Sequence, residues 1–225
     1  DAYAGEETVG EAHVYTLPGS ITIEPGMPVA TSLFPRASTS VSQEFIVPGA
    51  LPWRGYAGAE QNQARTTPVQ SWYTLRRGRG SPFGDRPLPG GTVQLYEADA
   101  EGRLQLVGES AIDHTPAGRD LRLQSGDAFD LTAERVQTEY AVEQVPPARR
   151  GMAATQRVTA SYRVTLTSAK AEAVTIDVRE VHAGEWRVTA SSTRAEKLSA
   201  SEVRFRVAVP ANGTATLTYT VQIDS

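Results

Sequence analysis

Four segments near the end of the chain alternate apolar and polar residues almost without a break. In TQRVTASYRVTLTS, the residues Val158, Ala160, Tyr162, Val164 and Leu166 share one phase. AVTIDVREV puts Val174, Ile176 and Val178 on one side and Thr175, Asp177 and Arg179 on the other. VRFRVAV aligns Val203, Phe205, Val207 and Val209, and TATLTYTVQI aligns Ala215, Leu217, Tyr219, Val221 and Ile223. A period of two places each apolar set on one face of a strand. One buried and one wetted face is the pattern of antiparallel sheets packed against each other. Trp72 and Trp186 fall in such patterns and are expected in the core.

The connections suit this picture. Asn212-Gly213 between the last two segments predicts a type I′ hairpin, which needs φ > 0, and HAGEW joins Val181 to a strand starting near Trp186. Residues 132–225 therefore predict one immunoglobulin-like or fibronectin-like β-sandwich. Residues 1–131 predict a second, irregular β-lobe, with strand candidates AHVYTL, SITIEP, PVATSLF, SVSQEFIV, VQSWYTL, TVQLYE, RLQLVG and LRLQ. A long strand from Leu131 to Val142 borders both lobes. Helical periodicity is absent over any useful length, and STRAEKLSASE has room for a single turn. Between Ile112 and Leu121, the run Asp113-His114-Thr115-Pro116-Ala117-Gly118 is dense in turn formers and predicts a corner between two strands.

Composition narrows the possible functions. The chain has 225 residues and a net charge of −4. No basic field of the kind nucleic acid requires is present, so a nucleic-acid partner is not expected. There is no cysteine, which removes disulfides and thiolate chemistry. No apolar run is long enough for a membrane-spanning helix. A chain starting at Asp1 without methionine fits a mature exported protein that has lost its leader, or a piece of a longer one; both readings stay open.

Three stretches carry a resemblance. They are LPGGTVQLYEADAEGRLQLVGESAIDHTPAGRDLRLQSGDAFDLTAERVQTEY, YRVTLTSAKAEAVTIDVREVHAGEWRVTASS and FRVAVPANGTATLTYTV. Together they resemble the uncharacterised C-terminal domain of mucoidy inhibitor A-like bacterial proteins, with Ser168 standing where that family tends to place Asn and Ser125 falling in its Leu-Gly position. The resemblance spans most of residues 12–225. It implies an all-β domain of a bacterial cell-envelope or periplasmic protein and carries no activity with it. Members of that family also carry an N-terminal β-domain and a long coiled coil, which this sequence does not contain.

Two readings of function follow. In the first, the chain is a non-catalytic envelope module that binds another envelope protein without a cofactor. Two long Pro-, Gly- and Arg-rich breaks, residues 48–68 and 76–91, supply the surface. Trp53, Arg54 and Tyr56 in the first, with Arg76, Arg77 and Arg79 in the second, are the expected partner-binding residues, because Trp, Tyr and Arg dominate binding hot spots. In the alternative, His13, His114 and His182 converge on copper or zinc in an oxidoreductase of superoxide dismutase type. Three imidazoles leave an open coordination position, but no His-x-His or His-x-x-x-His spacing supports the set locally. Hydrolase and phosphate-loop motifs are missing.

Overall fold

The computed structural model describes residues 6–9, 12–17, 20–34, 36–49, 59, 62–78, 80–81, 84, 86–146 and 155–224, with backbone only before residue 14. The described residues are all-β: β1 (Glu6–Val9), β2 (Ala12–Tyr15), β3 (Val41–Val47), β4 (Ala64–Leu75), β5 (Gly91–Ala98), β6 (Leu104–Ile112), β7 (Leu121–Val145), β8 (Thr155–Ser168), β9 (Val174–Val181), β10 (Glu185–Ser191), β11 (Ala195–Lys197), β12 (Glu202–Val209) and β13 (Thr214–Asp224). Nine of them form a mixed sheet in the order β10-β13-β8-β7-β4-β3-β9-β12-β11, while β1-β2 and β5-β6 form two-stranded sheets. β3 runs parallel to β9, with Phe45 opposite Ile176 and Val47 opposite Val178.

The alternation in the last third is borne out. Val158, Ala160, Tyr162, Val164 and Leu166 are buried, as are Ile176, Val178, Val203, Phe205, Val207, Val209, Leu217, Tyr219, Val221 and Ile223. These residues make one core with Val47, Val69, Leu131 and Ala133. The large sheet doubles back on itself. β12 and β13 are not neighbours in it, yet Phe205 and Tyr219 stack with ring centroids 4.9 Å apart. Burying such large side chains, at roughly 1.5–3 kcal/mol each, is what holds the curl closed.

The turns play a different part from the one expected. PANGT does not close a hairpin: β12 pairs with β9 and β11, and β13 pairs with β8 and β10. Pro210 to Gly213 instead carries the chain across the core. Asn212 alone takes a left-handed φ of 45°, its N–H donating to the Lys170 carbonyl. A left-handed conformation costs most residues about 1–2 kcal/mol and is eased by Asn or Gly. Asn212→Val should therefore lower the unfolding free energy by about that much, and Asn212→Gly should not, in urea titrations. HAGEW likewise leads from β9 to a strand on the opposite side of the sheet order.

Other expectations need amending. Residues 20–34 form no strand. STRAEKLSASE holds the short strand β11 rather than a helical turn. The chain divides into one compact unit of residues 1–41, 74–92 and 111–122, and another of 42–73, 93–110 and 123–225. Residue 131 is thus not a boundary: β7 runs through it unbroken, and β3 and β4 join the same sheet as the later strands. Asp113 to Gly118 is the expected corner. Thr115 and Leu88 exchange backbone hydrogen bonds at 2.9 Å, Thr115 Oγ1 donates to the Asp113 carbonyl, and Gly118 has φ of 74°.

Candidate functional site

Most of the expected binding surface lies outside the described residues, namely Trp53, Arg54, Tyr56 and Arg79. Arg76 is exposed. Arg77 is not available to a partner, since none of it reaches solvent. Its guanidinium donates to the carbonyls of Pro116, Arg119 and Arg86, and its own N–H donates to Asp120. A loop that folds back leaves its carbonyls needing donors, and a planar five-donor guanidinium supplies several at once. Burial lowers the Arg77 pKa and Asp120 works against that. Arg77 therefore ties itself and Arg86 to the Pro116–Asp120 corner instead of reaching outward.

The histidines differ in setting. His13 lies among the residues described by backbone only, His114 is exposed, and His182 is 3 % exposed. His114 and His182 belong to different units. Among the described residues no group of three His, Cys, Asp or Glu side chains is placed to hold a metal ion. His182 rests against the Trp186 ring at 5.3 Å, and its Nε2 has no hydrogen-bond partner among the described residues. Burial, helped by the Arg135 charge, lowers its pKa to about 4.

Arg135 heads a buried polar cluster. β7 presents Leu131, Ala133, Arg135 and Gln137 in one phase, so this cation faces the core. Its Nε donates to Glu180 at 3.0 Å on β9, its guanidinium lies 3.9 Å from the Tyr162 ring centre, and its Nη2 donates to the Tyr219 hydroxyl. Gln137 donates to the Tyr162 hydroxyl, and Tyr162 stacks on Tyr219. Burial works against the Arg135 charge, but Glu180 with the two tyrosines raises its pKa further above the arginine range. Burial pushes the Glu180 carboxyl up while Arg135 restrains it. Each charged member is satisfied by a neighbour inside the core, which is the arrangement of a structural network.

The β5-β6 ribbon offers an outward surface. Asp99 closes its turn: its carboxylate accepts from the Glu101 and Arg103 N–H groups and from the Arg103 and Gln105 side chains. Those bonds, the Gln105 one foremost, hold the Asp99 carboxyl below its usual range. One face of the ribbon turns to the body of its unit. There Tyr73 donates to Glu97 at 2.5 Å, and burial with that bond raises the Tyr73 pKa to about 12. Gly108 passes so close to Ser125 that a Cβ would fall 2.6 Å from the Ser125 carbonyl oxygen. Elsewhere on the ribbon Tyr96, Leu104, Leu106 and Val107 are exposed by 50, 70, 55 and 38 %. The strands were legible in TVQLYE and RLQLVG. The exposure of their apolar side chains was not, because alternation does not say which face meets a core.

Compared with known proteins, the chain matches no family model, no curated protein and no solved structure. Among the described residues no helix is long and apolar enough to cross a membrane.

Proposed function

We propose that the chain is a non-catalytic module that docks another protein of the bacterial cell envelope, without a cofactor. The observation carrying this reading is the exposure of large apolar side chains along the β5-β6 ribbon, Tyr96, Leu104 and Leu106 foremost. Large apolar side chains grouped on a surface and rimmed by charge, here Glu101, Arg103 and Glu109, mark interaction sites. The ribbon is also a two-stranded sheet whose outer edges pair with no other strand among the described residues, open to pairing by a partner strand. The envelope location rests on the resemblance to mucoidy inhibitor A-like proteins. An immunoglobulin-like sandwich for the larger unit is part of the same reading, supported by the connections β8–β9, β9–β10 and β12–β13, each of which joins strands that are not neighbours in the sheet order.

Co-purification from a gently solubilised bacterial envelope tests it. The intact chain should retain a protein partner, and the double variant Leu104→Glu, Leu106→Glu should lose it while keeping its thermal transition. Deleting residues 51–56 asks separately whether the 48–68 loop adds to the same surface. A chain that stays partnerless, or a double variant that binds as well as the parent, rejects the proposal.

A further inference from the structure

We propose that a hydroxyl-lined groove on the outer face of β7, β8, β13 and β10 binds an acidic sugar, with Arg163 taking the sugar's carboxylate. The groove has a volume of about 380 Å³ and is lined by Thr138, Ser161, Arg163, Ser191, Thr218 and Thr220 among others. That lies at the small end of ligand clefts, which run roughly 300–1,000 Å³.

Two irregularities in the sheet frame it. The β7-β8 register shifts between Gln137 and Glu139, leaving Thr138 as the extra residue. The β10-β13 register shifts between Val188 and Ala190, leaving Thr189 unpaired. Bulges bend a strand and re-aim side chains, and they concentrate beside functional sites. Both lie on strands that border this groove, and Thr138 is part of its lining.

The polar groups divide by what they can still bind. Ser161 is committed, donating to Glu139 and sharing a 2.9 Å hydrogen bond with Thr220. Ser192 Oγ accepts from the Thr218 N–H, and Ser191 donates to the Thr193 carbonyl. Among the described residues Arg163 has no ion pair or hydrogen bond, and the Thr138 and Thr218 hydroxyls have none either. An exposed guanidinium that makes no ion pair is set to take a planar anion two-pronged. Hydroxyls both donate and accept, and the Glu139 carboxylate accepts only. A bare sulfate has no hydroxyl to donate to Glu139, whereas a sugar ring donates its hydroxyls to it. One cation, one nearby acceptor and a row of hydroxyls thus suit a uronic or sialic acid better than an inorganic anion.

This reading is independent of partner docking on the β5-β6 ribbon, so Leu104→Glu, Leu106→Glu should leave it unchanged. Isothermal titration calorimetry on the full chain tests it, with trigalacturonate and sialyllactose as acidic probes, lactose as the neutral one and sodium sulfate as the bare anion. At least one acidic probe should bind, with lactose weaker by about tenfold or more, and Arg163→Gln should erase that difference. Arg163 is exposed, so an unchanged thermal transition confirms that this variant is folded. Failure of both acidic probes, equal binding of lactose, an unaffected Arg163→Gln protein, or sulfate binding as tightly as the sugars would each overturn the proposal.

Discussion

Replacing Arg135 by Met should cost about 3–5 kcal/mol of stability, because it leaves Glu180 buried without its counter-charge. Glu180 is 8 % exposed at its side chain and its closest cation is Arg135, at 3.0 Å. The methionine also removes the guanidinium from the Tyr162 ring and the donor to the Tyr219 hydroxyl. The double variant Arg135→Met, Glu180→Met should recover much of the loss, since an apolar pair of similar volume often replaces a buried ion pair at little cost. Urea unfolding of the single and double variants measures both effects. A single variant within about 1 kcal/mol of the parent would show that the pair is solvated rather than sealed in the core.

Stability should also fall by about 3 kcal/mol as pH drops from 6.5 to 4, through His182 alone. The sign follows from where the proton goes. In the folded chain, burial and the Arg135 charge hold the His182 pKa near 4, down from 6.5. Between those values the unfolded chain takes up a proton that the folded chain refuses, so acid favours unfolding. Above pH 6.5 both states are neutral and the effect vanishes; below pH 4 both are protonated and it grows no further. Glu180, whose pKa is raised, contributes an opposite slope, and Arg135 stays charged throughout. The His182 contribution is therefore the difference between the parent and His182→Phe, measured as unfolding free energy at several pH values. Parallel profiles for the two proteins would mean that His182 is protonated in place or is reached by solvent.

Both experiments probe residues whose importance was written in the sequence but easily passed over. Arg135 follows Leu131 and Ala133 in steps of two, and Glu180 follows Val174, Ile176 and Val178 in the same way. Each is a charge standing at an inward position of an apolar period. Taken one strand at a time, such a residue looks like the solvated end of a pattern. It signals a buried pair only once both strands are known to face the same core. The same limit hid the groove: Ser161, Arg163, Thr218 and Thr220 occupy outward positions on strands correctly read from sequence, but the two register shifts that frame the groove belong to pairings, not to either strand. Arg77 erred in the other direction, since arginine in a Pro- and Gly-rich segment suggests exposure until the carbonyls it binds are located.

The sequence by itself determined that this protein is built from strands, which side chains of β8, β9, β12 and β13 turn inward, and that Asp113 to Gly118 makes a corner. Alternation and turn chemistry are local, settled by a backbone that flips each successive side chain and by residues that tolerate particular φ values. Only the tertiary structure decided which strand lies beside which. Every strand edge offers the same repeating N–H and C=O groups, so hydrogen bonding alone does not distinguish partners. The choice fell to the packing of Phe205 on Tyr219 and of Arg135 on Glu180, the latter pair 45 positions apart in the chain. That packing turned an apparent closing hairpin at Asn212-Gly213 into a crossover and left the β5-β6 ribbon with large apolar side chains in solvent.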